Sequence, residues 1–574
     1  MSVSRVANLL RSASVLARSR ARPLQAEWRH RRFSAHSGIS RETLFEHTSE
    51  RWLCNEERHR KARRTPFDPE ALERIACSTV SAERCLSWEK IGEGSFNRIF
   101  LLRFDNAASA VVRIPCSLVG NIERSILSEV ATISYVRDRW GDNKNVAKPP
   151  KVLAWSTTHD NPAQTPYMIL EYAPGVTLKS RWDHIEGNTA GEAVMSVMAL
   201  DWMLLHHKFA LNGSLYFKED VPKDIRSQPL YISGQNDSSM EELHKKLEAK
   251  YRIGPTANRE WWRGGYAQVP AHRGPWPDLQ TMIKSAAELQ LRAIDAGLVD
   301  FSSPRPRYKP SDIPHLQRLL HLCITIAPHI VPNDPDLTAP VLQHPDLSLQ
   351  NIIVPPSGSP AATHTIDWQG AAVSPFCISC AMPPAIAYDG AVIPVPPDGS
   401  MPLWPDGFDA LSPSEQEFVR KHHRYACRHR FYLQTVSVIH FSRTKAWVLP
   451  HYELLTDLVK FITRCASDGP ATLRTILVEL QKCWAEFAPD VPCPIDFTPE
   501  EVARHEREKE ERKAYEKNVA ELYEEVGCSL DESVPPDHYE TAMEIVERRR
   551  AEWDEVAMNG PFPFYEGAHN YFLS

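Results

Sequence analysis

The sequence predicts an α+β chain with two unequal lobes, and three observations carry that expectation. Strand signals cluster between residues 88 and 171, helical periodicity dominates from about residue 190, and a Pro-Gly turn in ILEYAPG (169–175) separates the two regions. The 574 residues are 42% hydrophobic and 24% charged, which excludes a wholly disordered or fibrous chain. A formal charge of -7 gives no reason to expect a nucleic-acid surface. Twelve irregularly spaced Cys argue against a secreted disulfide scaffold.

Residues 1–33 are rich in Arg and Ser, with Glu27 their single acid. Val6, Leu9, Leu10 and Leu16 fall along one helical side, the composition of a mitochondrial transit peptide. RRFSA resembles a matrix-processing pattern that cuts after Phe33. A disordered basic tail and an RNA-binding arm are the competing readings. No membrane span is expected. The longest uncharged stretch, 368–388, is broken by Pro375, Pro383 and Pro384, whereas a spanning helix needs about 20 predominantly apolar residues. The expected organisation is a transit peptide at 1–33, then a helical extension plus strand-rich lobe at 34–172. A helical lobe at 173–497 and charged C-terminal helices at 498–574 follow.

Several elements have explicit signals. Asp68-Pro69 and Thr498-Pro499-Glu500-Glu501 are helix starts, the second with capping-box spacing. IGEGSFNRIFLLRF and ASAVVRIP flank the turn Asp105–Asn106, a hairpin signal. In the helix that Thr498 starts, Tyr515, Val519, Leu522, Tyr523 and Val526 share a face that can dock, although a solvated peripheral helix is the expectation.

The strongest chemical signal is HPDLSLQNIIV at 344–354, followed by HTIDW at 364–368. Phosphoryl transfer to a hydroxyl needs one carboxylate to orient or deprotonate the acceptor, and an Asn with a second carboxylate to hold Mg2+. Asp346 suits the first role, and Asn351 and Asp367 the second, while His344 fixes the loop. Upstream, Gly92-x-Gly94-Ser95 sits where one strand turns back into the next, and glycine there admits phosphate oxygens close to backbone N–H groups. A third glycine is missing, with Asn97 in its place. Arg113 in VVRIP occupies the strand position of a phosphate-gripping Lys. At about 100° per residue, Glu129 falls inside the stripe of Ile122, Ile126, Val130, Ile133 and Val136. A buried carboxylate needs a cation, and Arg113 is the natural one. Main-chain groups near Glu171, Tyr172 and Ala173 are placed to hydrogen-bond adenine.

Weaker signals have competing readings. Cys377-x-x-Cys380 reads as free thiols over zinc or redox chemistry. KHHRYACRHR (421–430) reads as a basic helical face, open to an anionic substrate, over a metal site built from His422, His423, Cys427 and His429. Trp261, Trp262 and Trp276 with Arg273 either wall a substrate pocket or pack in the core.

The segments RWLCNEE, EKIGEGSFNRIFLL, VVRIP, SEVATI, PKVLAWS, HRGPW, HPDLSLQNIIV and TIDWQGAAVSP resemble the aminoglycoside phosphotransferase (protein-kinase-like) superfamily. Within it they resemble the fungal altered inheritance of mitochondria protein 9 family. That resemblance implies a bilobal kinase-like fold, ATP with Mg2+, and a small-molecule hydroxyl as acceptor. Arg113 and the incomplete glycine loop depart from the pattern. They keep open a pseudokinase that serves as a mitochondrial maintenance or scaffold factor. A kinase acting on protein is the weaker reading, because no APE motif follows Asp367. The partners expected are the small-molecule substrate and the mitochondrial import machinery, with no nucleic acid, and the oligomeric state is left open. A fusion of residues 1–40 to a reporter should enter mitochondria and be cut after Phe33; an uncut cytosolic reporter would contradict the transit-peptide reading.

Overall fold

The computed structural model describes residues 32–33, 44–141, 143, 146–232, 240–299 and 309–566. The proposed transit peptide lies outside the described residues, apart from the two-residue strand Arg32–Phe33.

Helices α1 (Glu56–Arg63) and α2 (Pro69–Val80) precede the small-lobe sheet. Asp68 starts α2 by accepting a hydrogen bond from the Ala71 N–H, with Pro69 at the first helical position. The sheet comprises β1 (Cys85–Glu93), β2 (Asn97–Phe104), β3 (Ser109–Pro115), β4 (Val152–Ser156) and β5 (Tyr167–Glu171). Its order is β1-β2-β3-β5-β4, antiparallel throughout, with Arg32–Phe33 paired outside β1. Successive side chains of a strand point to opposite faces. Phe100 and Leu102 therefore pack with Trp88, Phe67 and Leu72 on the α2 side, whereas Ile99 and Leu101 line the cleft between the lobes.

Helix α3 (Ile122–Trp140) follows the sheet's third strand, capped by the Asn121 side chain on Arg124 N–H. Its apolar stripe, Ile126, Val130, Ile133 and Val136, joins Met168 to Leu342 and Trp368 of the large lobe. The large lobe is built on α4 (Gly187–Leu205), the hairpin β6 (Ser214–Phe217) and β7 (Tyr251–Gly254), α5 (Leu279–Asp295) and α6 (Ile313–Ile330). Two short antiparallel ladders hold the loops that carry Asp346, Asn351 and Asp367. In one, β8 (Pro340–Gln343) pairs with β11 (Ala372–Pro375). In the other, β9 (Ile352–Val354) pairs with β10 (His364–Thr365) and with Val176–Thr177. Residues 344–351 and 366–371 are thereby held side by side.

The long helix α7 (Pro413–Ile439) carries KHHRYACRHR, and here the structure corrects the sequence reading. Arg428 and Arg430 are buried. Arg428 donates to the Trp182 and Ile185 carbonyls and lies over the Trp182 ring. Orphan carbonyls at the end of a short helix attract it more than solvent does. His423 bonds the Pro402 carbonyl, and His429 accepts from the Tyr388 N–H, so this face is bound to backbone instead of open to a substrate. Trp261 and Trp276 are core residues, and Arg273 donates to the Trp261, Tyr266 and Val269 carbonyls. Cys377 and Cys380 are free, buried thiols.

The C-terminal helices α8 (Pro499–Val526) and α9 (Tyr539–Glu552) are docked, not merely solvated. Thr498 and Glu501 form the expected capping box. Leu522, Tyr523, Val526 and Val546 are buried with Leu53, Cys54 and Phe564, and strand 533–534 pairs with 51–52. Among the described residues no helix is long and apolar enough to cross a membrane.

Candidate active site

Between the lobes lies a cleft of about 1290 Å³. Ile91, Ile99, Leu101 and Val111 of the sheet line one side, Leu170 the back, and Ile353 and Ile366 of the large lobe the other side. Gly94, Ser95 and Phe96 lie in the β1–β2 turn at one end of the cleft. Glu171, Tyr172 and Ala173 form the connection between lobes. Among the described residues the Ala173 N–H has no hydrogen-bond partner, whereas the Glu171 side chain accepts from Lys151 N–H and lies 3.6 Å from Arg137. Gly92 does not line the cleft. It sits within β1, where an added Cβ would come within 3.1 Å of Ile99.

Arg113, on β3, forms a buried ion pair with Glu129 of α3, and its other terminal nitrogen lies 3.6 Å from Asp367. Burial works against the Arg113 charge, but Glu129 outweighs it and holds the guanidinium above its ordinary pKa. Burial also raises the Glu129 carboxyl, with Arg113 pulling against it. Glu129 lies behind Arg113 and does not line the cleft.

Asp367 adopts φ 63°, the left-handed region, which Asp tolerates better than most residues. That backbone is separated from β10 by Ile366, and Asp367 lines the cleft together with Asn351. Although its side chain is half-exposed to the cleft, surrounding protein raises the Asp367 pKa; Arg113 opposes the shift and the Asp346 charge adds to it. A cation beside Asp367 would relieve the cost that burial and the Asp346 charge place on ionising it.

The loop after β8 is stitched internally. Asn351 donates through Nδ2 to the Asp346 backbone oxygen at 2.9 Å and to Asp346 Oδ2 at 3.0 Å. Ser348 Oγ donates to the same Oδ2 at 3.1 Å. Asp346 is exposed and stands outside the cleft lining. His344 is buried: Nδ1 accepts from Asp346 N–H at 3.2 Å, which leaves Nε2 to donate to the Ile366 carbonyl at 3.1 Å. It therefore ties the Asp346 loop to the residue before Asp367, and it packs edge-on against Trp368 with centroids 4.6 Å apart.

One cleft residue, Gln369, escaped the sequence reading. Gln369 accepts from the Asn97 side chain and donates to Ser125 Oγ at 3.1 Å, so the β1–β2 turn is tied to the segment after Asp367. The signal was in view, since Asn97 stands where the third glycine is missing and Gln369 belongs to TIDWQG. A polar residue in a glycine position asks for a partner.

The five-stranded sheet, the β3 cation paired with an α3 carboxylate, and the loops after β8 and β10 define a protein-kinase-like bilobal fold. No protein-family model matches the chain. It is similar to a subtelomeric hrmA-associated cluster protein of Aspergillus fumigatus, 26% identical over 518 residues that cover 84% of this chain and 96% of the relative. It is also similar to altered inheritance of mitochondria protein 9, mitochondrial, of Yarrowia lipolytica (31% identical; 44% of this chain, 45% of the relative). The protein of that name from Zygosaccharomyces rouxii is 26% identical over 74% of this chain and 69% of its own. The resemblance read from the sequence is thus matched by relatives of that name. Among solved structures, a thermostable mutant of aminoglycoside phosphotransferase APH(4)-Ia with AMP-PNP and hygromycin B is 13% identical, covering 71% of this chain and 98% of its own, with a TM-score of 0.31. A putative fructosamine-3-kinase from Thermobifida fusca is 12% identical, covering 72% and 99%, with a TM-score of 0.35.

The His344 geometry has a pH consequence. Burial lowers its pKa from 6.5 to about 4, so the folded protein holds it neutral while the unfolded chain protonates it below pH 6.5. Stability is full above pH 6.5 and is lost as pH falls to about 4, by roughly 3 kcal/mol for this group. Urea unfolding of His344→Gln should show a shallower acid dependence in that window than wild type; parallel curves would contradict it.

Proposed function

We propose that the chain is a mitochondrial phosphotransferase that moves the γ-phosphoryl of ATP to a hydroxyl of a small molecule. The observation that carries this reading is the convergence of Arg113, Asn351 and Asp367 on one cleft, with Asp346 on the adjoining loop. The apolar walls suit an adenine ring, and the Ala173 N–H suits its edge. We assign residues 34–172 to the small lobe and its extension, 173–497 to the large lobe, and 498–574 to the C-terminal helices. The mitochondrial address rests on the transit-peptide composition and on the relatives' names.

In this reading Ser95 offers its backbone N–H to phosphate oxygens, and Gly94, whose own N–H is bonded to the Asn97 carbonyl, leaves the turn without a side chain in their way. Arg113 supplies positive charge where negative charge accumulates, and Glu129 keeps its guanidinium aimed from behind. Asp346 receives the acceptor's hydroxyl proton and orients the oxygen toward the phosphoryl group. Asn351 restrains the Asp346 carboxylate through Oδ2. His344 is a positioning residue that acts through Asp346. The raised pKa of Asp367 and the adjacent Asn351 amide fit a hard divalent cation, since oxygen donors suit Mg2+. Such a cation would neutralise charge on the phosphates, held by Asn351 and Asp367.

One observation favours the second reading, a catalytically weak pseudokinase. The Asn97–Gln369 hydrogen bond fastens the β1–β2 turn to the segment after Asp367. Thermal shift separates the two. ATP should raise Tm only with Mg2+, by several degrees at saturating nucleotide, and Asp367→Ala should abolish that increment. Asp346→Ala should keep the increment and lose phosphoryl transfer. No Mg2+-dependent shift in wild type at millimolar ATP would overturn the enzyme reading.

A further inference from the structure

The segment RWLCNEE is a marked sequence feature that the site leaves without a task. Arg51 and Trp52 pair as a strand with Ser533 and Val534, and Leu53 N–H donates to the Glu532 carbonyl at 3.0 Å. Asn55 N–H donates to the Glu566 carboxylate at 3.1 Å. Trp52 Nε1 donates to Asp531 at 3.3 Å, and its ring stacks on His59 at 4.7 Å. Asp531 also lies 3.8 Å from buried Arg63, whose guanidinium covers the Trp52 ring at 4.4 Å. The C-terminal helices are thus fastened to residues 51–63 by backbone, ionic and ring contacts together.

Residues 44–63 in turn grip the base of the β1–β2 turn. Glu93, the residue before Gly94, is buried; its Oε2 accepts from Thr48 N–H at 2.7 Å and Ser49 N–H at 3.0 Å. Its Oε1 accepts from Lys90 at 2.8 Å and Arg98 Nε at 3.2 Å. Arg98, the residue after Asn97, donates to the Leu44 carbonyl at 3.0 Å and the Arg63 carbonyl at 2.9 Å. Burial opposes the charge on Glu93, yet His47, Lys90 and the amide donors outweigh it and hold its carboxyl near 2. Each leg of the four-residue turn Gly94–Asn97 therefore ends in a buried charged residue anchored to the segment that the C-terminal helices clasp.

We infer that Glu93 and Asp531 are positioning residues for the nucleotide loop, and that the C-terminal helices set the loop's geometry through residues 44–63. The inference rests on the proposed nucleotide site for its functional consequence, but its structural part does not. Residues 498–566 are then a buttress whose undocking weakens ATP binding without touching the groups around Asp346 and Asp367.

The test uses the full chain and its Asp531→Ala variant, with Asp531→Asn as the shape-conserving partner should the first fail to fold. Hydrogen exchange is first measured without nucleotide. The Gly94 amide, bonded to the Asn97 carbonyl, and the Cys116 amide, bonded to the Phe96 carbonyl, report on the loop. The inference expects both to exchange about tenfold faster in the variant, with α5 and α6 unchanged. ATP titration should then show KM raised about tenfold with kcat within about twofold. Glu93→Gln should reproduce the KM effect with the C-terminal helices still protected. Faster exchange at 529–534 with the Gly94 and Cys116 amides unchanged would overturn the inference. Wild type that fails to bind ATP would overturn the proposed function alone, since the exchange result stands without nucleotide.

Discussion

The buried contact between Arg113 and Glu129 is the interaction on which the rest of the cleft depends. Desolvating two charges costs several kcal/mol each, and only their mutual contact offsets it. That requirement fixes the distance between β3 and α3, because neither side chain tolerates losing the other. With α3 fixed, its apolar stripe reaches Met168, Leu342 and Trp368 and brings the large lobe's loops under the sheet. The free side of the same guanidinium meets Asp367, so a single residue spans the small lobe's helix and the large lobe's chemistry.

A second constraint is the side-by-side placement of two loops that are separate in sequence. His344 links them with one imidazole, accepting from Asp346 N–H and donating to the Ile366 carbonyl. Because both bonds use the neutral ring, protonation breaks one of them, which makes the 344–351 loop acid-sensitive. Asn351 and Ser348 then hold the Asp346 carboxylate from the loop's own side. The loops beside the cleft are therefore held by short-range contacts, and Asn97 to Gln369 and Arg113 to Asp367 join the two lobes across it.

What the sequence made legible follows from range. The α+β order of strands then helices was readable because period-2 and period-3.6 patterns are local. The burial of Glu129 was readable because it lies within an apolar stripe, and its partner because β3 held one cation. The spacing of Asp346, Asn351 and Asp367 was readable because a short loop and one hairpin join them. The docking of α8 on residues 51–54 was not, since no local pattern records a contact across more than 450 residues. The buried state of Arg428 was missed for a related reason: a guanidinium's preference for orphan carbonyls depends on a helix end that periodicity does not locate. The turn's anchors, Glu93 and Arg98, carry no local signal, because their partners Thr48 and Leu44 lie 45 and 54 residues away.

The central claim is that the Arg113–Glu129 contact both holds the lobe together and presents a cation to the nucleotide. A double-mutant cycle tests it most directly, with Arg113→Ala, Glu129→Ala and the double variant compared by urea unfolding and by Mg2+-ATP titration. The account predicts that each single variant loses about 3–5 kcal/mol because it strands a buried charge, and that the double variant loses less than the sum. It also predicts that nucleotide affinity stays lost in the double variant even as stability recovers. Additive losses, or undiminished ATP binding without Arg113, would contradict it.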